Sequence, residues 1–133
     1  MRNLTCLSMI FFLFISAASA MPADTLWEKE LPSYCMEFSP TEPILAVGTP
    51  RGTKILDIES GELIKSLPPH LYGVYGLDFS NDGNLLATSD DKGILYIFDT
   101  ETWEQIKEIH LNATSDIDFS PDGLFLAVAC DGE

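Results

Sequence analysis

Basic residues are scarce in this sequence: Lys and Arg together number 7 against 21 Asp and Glu, for a formal net charge of −14 at pH 7. A surface of that sign repels phosphate backbones and anionic lipid headgroups, which argues against nucleic acid as a partner. Cations and basic protein surfaces remain open to it, and so does the plainer use of the charge as a solubilising face. Histidine is scarcer still, with only His70 and His110, and cysteine is limited to Cys6, Cys35 and Cys130. No zinc motif, paired-cysteine motif, phosphate loop or nucleophile elbow is present, so no metal, cofactor or catalytic residue is assigned. Nothing after residue 20 has helical periodicity. What remains, 46% hydrophobic and 21% charged residues in a chain of 133, is ordinary globular content and fits one small domain.

Long hydrophobic runs are also missing. Arg2 precedes an apolar run from Met9 to Ile15, and Ala18-Ser19-Ala20 supplies small residues at the spacing of a signal-peptide cleavage site. Even taken from Leu7 to Met21 the stretch is shorter than the roughly 20 residues of a spanning helix, and Pro22 follows it. Residues 1–20 are therefore expected to be a signal peptide cleaved between Ala20 and Met21, not a retained anchor. The expected product is secreted or periplasmic, without stable membrane insertion. Its charge becomes −15, with 6 basic and 21 acidic residues once Arg2 is gone.

The chain repeats itself. MEFSPTEPILAVG from Met36, LDFSNDGNLLATS from Leu77 and IDFSPDGLFLAVA from Ile117 superimpose; Phe38, Phe79 and Phe119 are spaced by 41 and 40 residues, as are Ala46, Ala87 and Ala127. Two independent positions sharing one period mark a repeat architecture. The second repeat reads as four short strands, 74–80, 85–89, 94–99 and 103–109. Asn81-Asp82-Gly83 and Asp90-Asp91-Lys92-Gly93 are the turns between the first three. In these turns Gly83, like Gly123 after Asp122 in the next repeat, supplies positive φ. The third strand is apolar on both faces and so must be covered on both, and the fourth is polar, as an outer edge should be. The first repeat gives strands near 34–39, 44–48, 53–58 and 63–67, and the third gives 115–120 and 125–130. A four-stranded antiparallel unit of about 40 residues that cannot bury both faces alone has the signature of a propeller blade.

Two motifs resemble those of the WD-repeat β-propeller family, over nearly the whole chain after residue 20. One is His, three residues, Val, then Phe-Ser-x-Asp-Gly: His70, Val74, Phe79, Ser80, Asp82 and Gly83, with His110, Phe119, Ser120, Asp122 and Gly123 in the third repeat. The other is the closing Trp-Asp dipeptide, represented by Phe98-Asp99, with Asp57 in the first repeat. Pro69 and Ile109 stand where the family has Gly before His, Lys29 takes the His position of the first repeat, and no Trp fills the third strand. The His, Ser, Trp and Asp network of well-formed repeats is accordingly expected to be partial. The resemblance implies an all-β fold: a partial β-propeller of four-stranded antiparallel blades, two complete and one incomplete. The repeats fall at about 34–67, 74–109 and 115–133 within a segment 21–133. It also implies that a strand at Leu26 to Leu31, which resembles the outer strand from Trp103, completes a last blade.

His70 and His110 recur at one repeat position, so a repeated packing role is expected before a metal or general-base role. Glu37, Asp78 and Asp118 precede the repeat Phe in the innermost strand, where they are expected to bond backbone or face water in the axial channel in preference to binding a cation. Cys35 and Cys130 fall in the first and third blades, which a propeller does not place side by side, so two small buried thiols are expected before a bridge. Asn112-Ala113-Thr114 is a glycosylation acceptor in a eukaryotic host. The third repeat stops at Asp131-Gly132-Glu133, inside a turn, whereas closed propellers need at least about four blades. A truncated piece of a larger propeller is expected, with uncovered apolar faces. The expected function is an exported non-catalytic scaffold for an unknown protein or peptide partner. The alternative is the end of a larger exported enzyme whose catalytic residues lie elsewhere.

Overall fold

The computed structural model describes residues 9–12 and 25–130, with side chains from residue 29 onward. The expected cleavage site between Ala20 and Met21 and the terminal Asp131-Gly132-Glu133 lie outside the described residues. Among the described residues twelve strands run in chain order: β1 (Met9–Phe12), β2 (Thr25–Lys29), β3 (Cys35–Phe38), β4 (Ile44–Thr49), β5 (Gly52–Asp57), β6 (Leu63–Ser66), β7 (Gly76–Phe79), β8 (Leu85–Ser89), β9 (Ile94–Asp99), β10 (Gln105–His110), β11 (Thr114–Phe119) and β12 (Leu126–Cys130). Among the described residues no helix is long and apolar enough to cross a membrane.

The strands pair only with chain neighbours, always antiparallel. Blade 1 has the order β3-β4-β5-β6, blade 2 the order β7-β8-β9-β10, and blade 3 consists of β11-β12; β1 and β2 pair separately. The first strands β3, β7 and β11 touch across the blade junctions, so they form the inner wall, while β6 and β10 are the exposed outer edges. The fold is the all-β partial propeller that the repeats imply, two four-stranded blades and a two-stranded one.

Alternation puts the cores between blades. Ala46 and Ile55 of blade 1 meet Leu77, Phe79, Leu86 and Phe98 of blade 2, and Ala87 and Leu95 of blade 2 meet Ile117 of blade 3. At about 25 cal/mol per Å² of buried apolar surface, these interleaved faces are the main stabilising contribution. Uncovered apolar faces are expected of a truncated propeller, yet on the other face of blade 1 Leu45, Val47 and Leu56 are buried, with Leu31, Met36 and Ile58 packed against them. On blade 3 Leu124 is 76% and Phe125 71% exposed, and Leu71, in the connection between blades 1 and 2, is 79% exposed.

Two strand expectations are corrected. The fourth strand of blade 2 begins at Gln105, and Trp103 sits in the preceding turn with φ 58. β2 forms where a closing strand was expected, but it pairs with Met9–Phe12.

Candidate functional site

The turn between the first two strands of a blade is built the same way twice. Ser80 Oγ donates to Asp82 Oδ1 (2.6 Å), the Leu85 amide donates to Ser80 Oγ (2.9 Å), and Gly83 N–H donates to the Ser80 carbonyl (2.8 Å). Ser120, Asp122, Gly123 and Phe125 repeat all three bonds. Gly83 and Gly123 take φ of 75 and 70, as the turn requires. The Ser hydroxyls, then backbone N–H groups, hold the Asp82 and Asp122 carboxyls below their usual range. Asp99 and Asp57 organise the third-to-fourth-strand turns; Asp99 Oδ1 accepts from the Glu101 and Thr102 amides (both 2.9 Å).

At the opposite end of the strands, His70 is buried and bridges two segments. Its Nδ1 lies 3.3 Å from Asp90 Oδ2 and its Nε2 2.8 Å from Thr88 Oγ1. A carboxylate only accepts, so the proton sits on Nδ1 and Thr88 donates to Nε2. Burial pulls the imidazole below its usual pKa, with Asp90 opposing, in keeping with a neutral ring. Asp90 Oδ1 accepts from the Lys92 and Ile94 amides, the Asp90 carbonyl from Thr114 Oγ1 (2.6 Å), and the Tyr96 ring lies 4.4 Å from the imidazole. A His-Thr-Asp part of the family network thus forms in blade 2, with Thr88 for Ser; Phe98 stands at the Trp position, and it is the Tyr96 ring, two residues earlier on the third strand, that packs on the imidazole.

His110 does not repeat this. It is exposed and meets Glu108 Oε1 at 2.8 Å. Thr88 and Asp90 lie 18 and 20 residues after His70; Val128 and Cys130 stand at those distances from His110, and neither can replace them. The repeated phenylalanines diverge for a related reason. Phe79 is buried between blades 1 and 2, Phe119 is half-buried between blades 2 and 3, and Phe38, on the first blade, is 48% exposed. Cys35 and Cys130 are free thiols. Burial pushes the Cys35 thiol up to about 12, which disfavours its thiolate; Cys35 is only partly buried and Cys130 is exposed, contrary to the expected buried pair.

Among the described residues, two of the surfaces open to a ligand involve these repeat positions and their neighbours. The first is a cavity of about 310 Å³ on the inner wall, lined by Glu37, Asp78 and Asp118 with the three repeat phenylalanines. Asp78 Oδ2 accepts from the Phe119 amide at 2.6 Å, tying blade 2 to blade 3. Burial, then the Asp78 and Asp118 charges, pushes Glu37 above its usual range. Burial also raises Asp78, opposed by the Phe119 amide and reinforced by Asp118. Among the described residues no three His, Cys, Asp or Glu side chains are grouped to hold a metal. The arrangement is a patch of mutually repelling carboxylates. A carboxyl whose pKa is raised on folding destabilises the fold when ionised and stops doing so as it takes up a proton. Glu37→Gln should therefore melt higher than the unsubstituted chain at pH 7. The gain should vanish below about pH 4, where Glu37 is protonated in folded and unfolded chains alike. A difference in melting temperature that does not change with pH would remove this electrostatic account.

The second surface was not anticipated. Tyr34 and Tyr75 stack with ring centroids 4.3 Å apart and planes within 6°, while Leu71 and Tyr72 stand exposed beside them in the connection between blades. Lys92 Nζ lies 5.7 Å from the centre of the Tyr72 ring. The signal was present in the sequence, since Tyr34 and Tyr75 share the 41-residue spacing of the phenylalanines.

Comparison with known proteins agrees with this geometry. Residues 61–99 and 103–133, more than half of the chain, match the family model "WD domain, G-beta repeat". The chain is 31% identical over 112 residues to the WD repeat-containing protein SL1-17 of Schistosoma mansoni, covering 83% of this chain and 35% of that protein. It superimposes on the β-propeller domain of Cps50 (Swd1) from Myceliophteria thermophila with a TM-score of 0.70 at 20% identity, covering 77% of this chain and 32% of that one. The chain thus spans about a third of the length of either relative. Repeated Ser-x-Asp-Gly turns, the His70-Asp90 lock and the family match lead to one conclusion: the chain belongs to the WD-repeat family of β-propeller proteins.

Proposed function

We propose that the chain is an exported, non-catalytic scaffold for protein contacts, acting as part of a larger propeller whose further blades cover Leu124 and Phe125. WD-repeat propellers generally bind protein partners, and the observation that carries the proposal here is the tyrosine patch. Tyr34, Tyr72 and Tyr75 are 48%, 50% and 39% exposed, and the segment bearing two of them is fixed by buried His70 and by Gly73, whose φ of 83 seats it against Tyr34 and Pro50. Rigid exposed aromatics are the groups that dominate protein interfaces, because ordering them costs little entropy. Arg2, the apolar run from Met9 to Ile15 and the small residues Ala18-Ser19-Ala20 support export.

The test is co-purification from the medium of the source organism, comparing the unsubstituted chain with a Tyr34→Ser/Tyr75→Ser variant of equal melting temperature. A protein retained by the first and lost by the second supports the proposal. Identical retention by both, or none by either, would count against it.

A further inference from the structure

We propose that the groove at the turn end of the junction between blades 1 and 2 is a docking site for a short basic peptide segment, gripped by Trp103 and by the carboxylates of Glu42 and Glu101; this rests on the scaffold function proposed above. The groove has a volume of about 400 Å³ and is bordered by Thr41, Glu42 and Ile44 of blade 1, by Ile64 of its outer strand, and by Glu101 and Trp103 of blade 2. It lies at the opposite end of the strands from His70 and the tyrosine patch. That volume is within the range of pockets that hold small ligands or single side chains of a partner.

Trp103 is the observation that sets this groove apart. Among the described residues it is the one non-glycine with positive φ, at 58, a conformation that is an outlier for a bulky side chain. The turn itself does not need tryptophan. Blade 1 makes the same turn with Gly61: Gly61 N–H donates to the Asp57 carbonyl at 2.9 Å as Trp103 N–H does to the Asp99 carbonyl at 2.8 Å, and Gly61 has φ 70. Blade 2 thus holds an indole where glycine would be unstrained. Strained residues of this kind concentrate at ligand clamps. The indole is only half-buried, packed beside the cluster between the blades and lining the groove.

Charge identifies the occupant. The charged residues bordering the groove are Glu42 and Glu101, both exposed, with no Lys, Arg or His among them, and the whole chain carries −14. An indole face beside two carboxylates attracts a guanidinium or ammonium group through both its quadrupole and the ion pairs. Ile44 and Ile64, the latter 50% exposed, accept an aliphatic neighbour. A peptide alternating cationic and aliphatic side chains meets both requirements.

The experiment titrates the full chain with a fluorescently labelled peptide of alternating arginine and leucine, against a control of alternating glutamate and leucine. Saturable binding of the basic peptide alone is expected, weakening as salt is added. Trp103→Gly should weaken it by about tenfold or more with the melting temperature held, because relief of strain offsets lost packing. If that variant melts early, Trp103→Asn, which tolerates positive φ, takes its place. Glu42→Gln/Glu101→Gln should weaken binding at low salt, and Glu108→Gln on the outer edge should not. Absence of saturable binding, an affinity indifferent to Trp103, or an equal effect of Glu108→Gln would overturn the site. The tyrosine substitutions read out a different surface, so either proposal can fail while the other stands.

Discussion

Asp90→Ala is expected to lower the unfolding free energy of the full chain by about 3 kcal/mol, read as an earlier urea midpoint at unchanged slope. Asp90 is completely buried, and its carboxylate is the acceptor for the His70 ring and for the Lys92 and Ile94 amides. Truncation leaves three donors without this acceptor, the His70 ring fully buried and the Lys92 and Ile94 amides part-buried, and each such group costs about 1 kcal/mol or more. Asp90→Asn should cost distinctly less, because its amide oxygen still accepts from the two backbone groups. Its amide nitrogen can donate to His70 Nδ1 once the imidazole proton moves to Nε2 and Thr88 becomes the acceptor. His70→Ala, which unpairs only Thr88 and one carboxylate oxygen, should also be milder. Equal losses for Asp90→Ala and Asp90→Asn would show that the network contributes nothing beyond side-chain volume.

Gly93→Val should be more damaging still, at about 3 kcal/mol or beyond, up to failure to fold. Gly93 has φ 84, and a Cβ there would strike the backbone of Leu111 and Asn112, which is pinned by the Leu111 amide donating to the Gly93 carbonyl at 2.8 Å. The left-handed conformation alone costs a branched residue roughly 1–2 kcal/mol, and the displaced backbone adds an overpacking cost of about 1–3 kcal/mol. The glycines are thus ranked by what surrounds them. At Gly83 the obstruction is the Thr41 side chain, which can rotate away, and at Gly123 nothing lies within 4 Å. Melting temperatures should fall in the order Gly123→Val, Gly83→Val, Gly93→Val, with the last lowest; an effect at Gly123 as large as that at Gly93 would contradict this.

Sequence and structure agree most closely where local chemistry decides the outcome. The second and third strands of blade 2, read as 85–89 and 94–99 from alternation and flanking turns, are β8 and β9 to the residue. Alternation misled at Trp103, which continues the period of the polar strand but takes part in a turn; Gly61 at the corresponding place in blade 1 was the available sign. Context defeated the rest. A histidine and a phenylalanine can recur at one period while their partners do not, so His110 lacks the bonds of His70 and Phe38 lacks the cover of Phe79. The tyrosine stack depends on two loops meeting, and no single repeat contains both rings.

The uneven distribution of the histidine lock divides the molecule mechanically. Blades 1 and 2 share the largest interleaved cluster, and the lock of His70, Thr88 and Asp90 pins the connection that joins them. Blade 3 is attached through Ile117 with the partly buried Phe119, Leu126 and Val128, through the Asp78 to Phe119 and Asn81 to Pro121 bonds, and through the Thr114 hydroxyl, with no buried lock like that of His70 among the described residues. The seam that holds the lock is therefore expected to be the stiffer, and the other to yield first. Amide protons of β11 and β12 should trade with solvent deuterium well before those of β4, β5, β8 and β9, so that the third blade acts as a hinged leaf on a two-blade body.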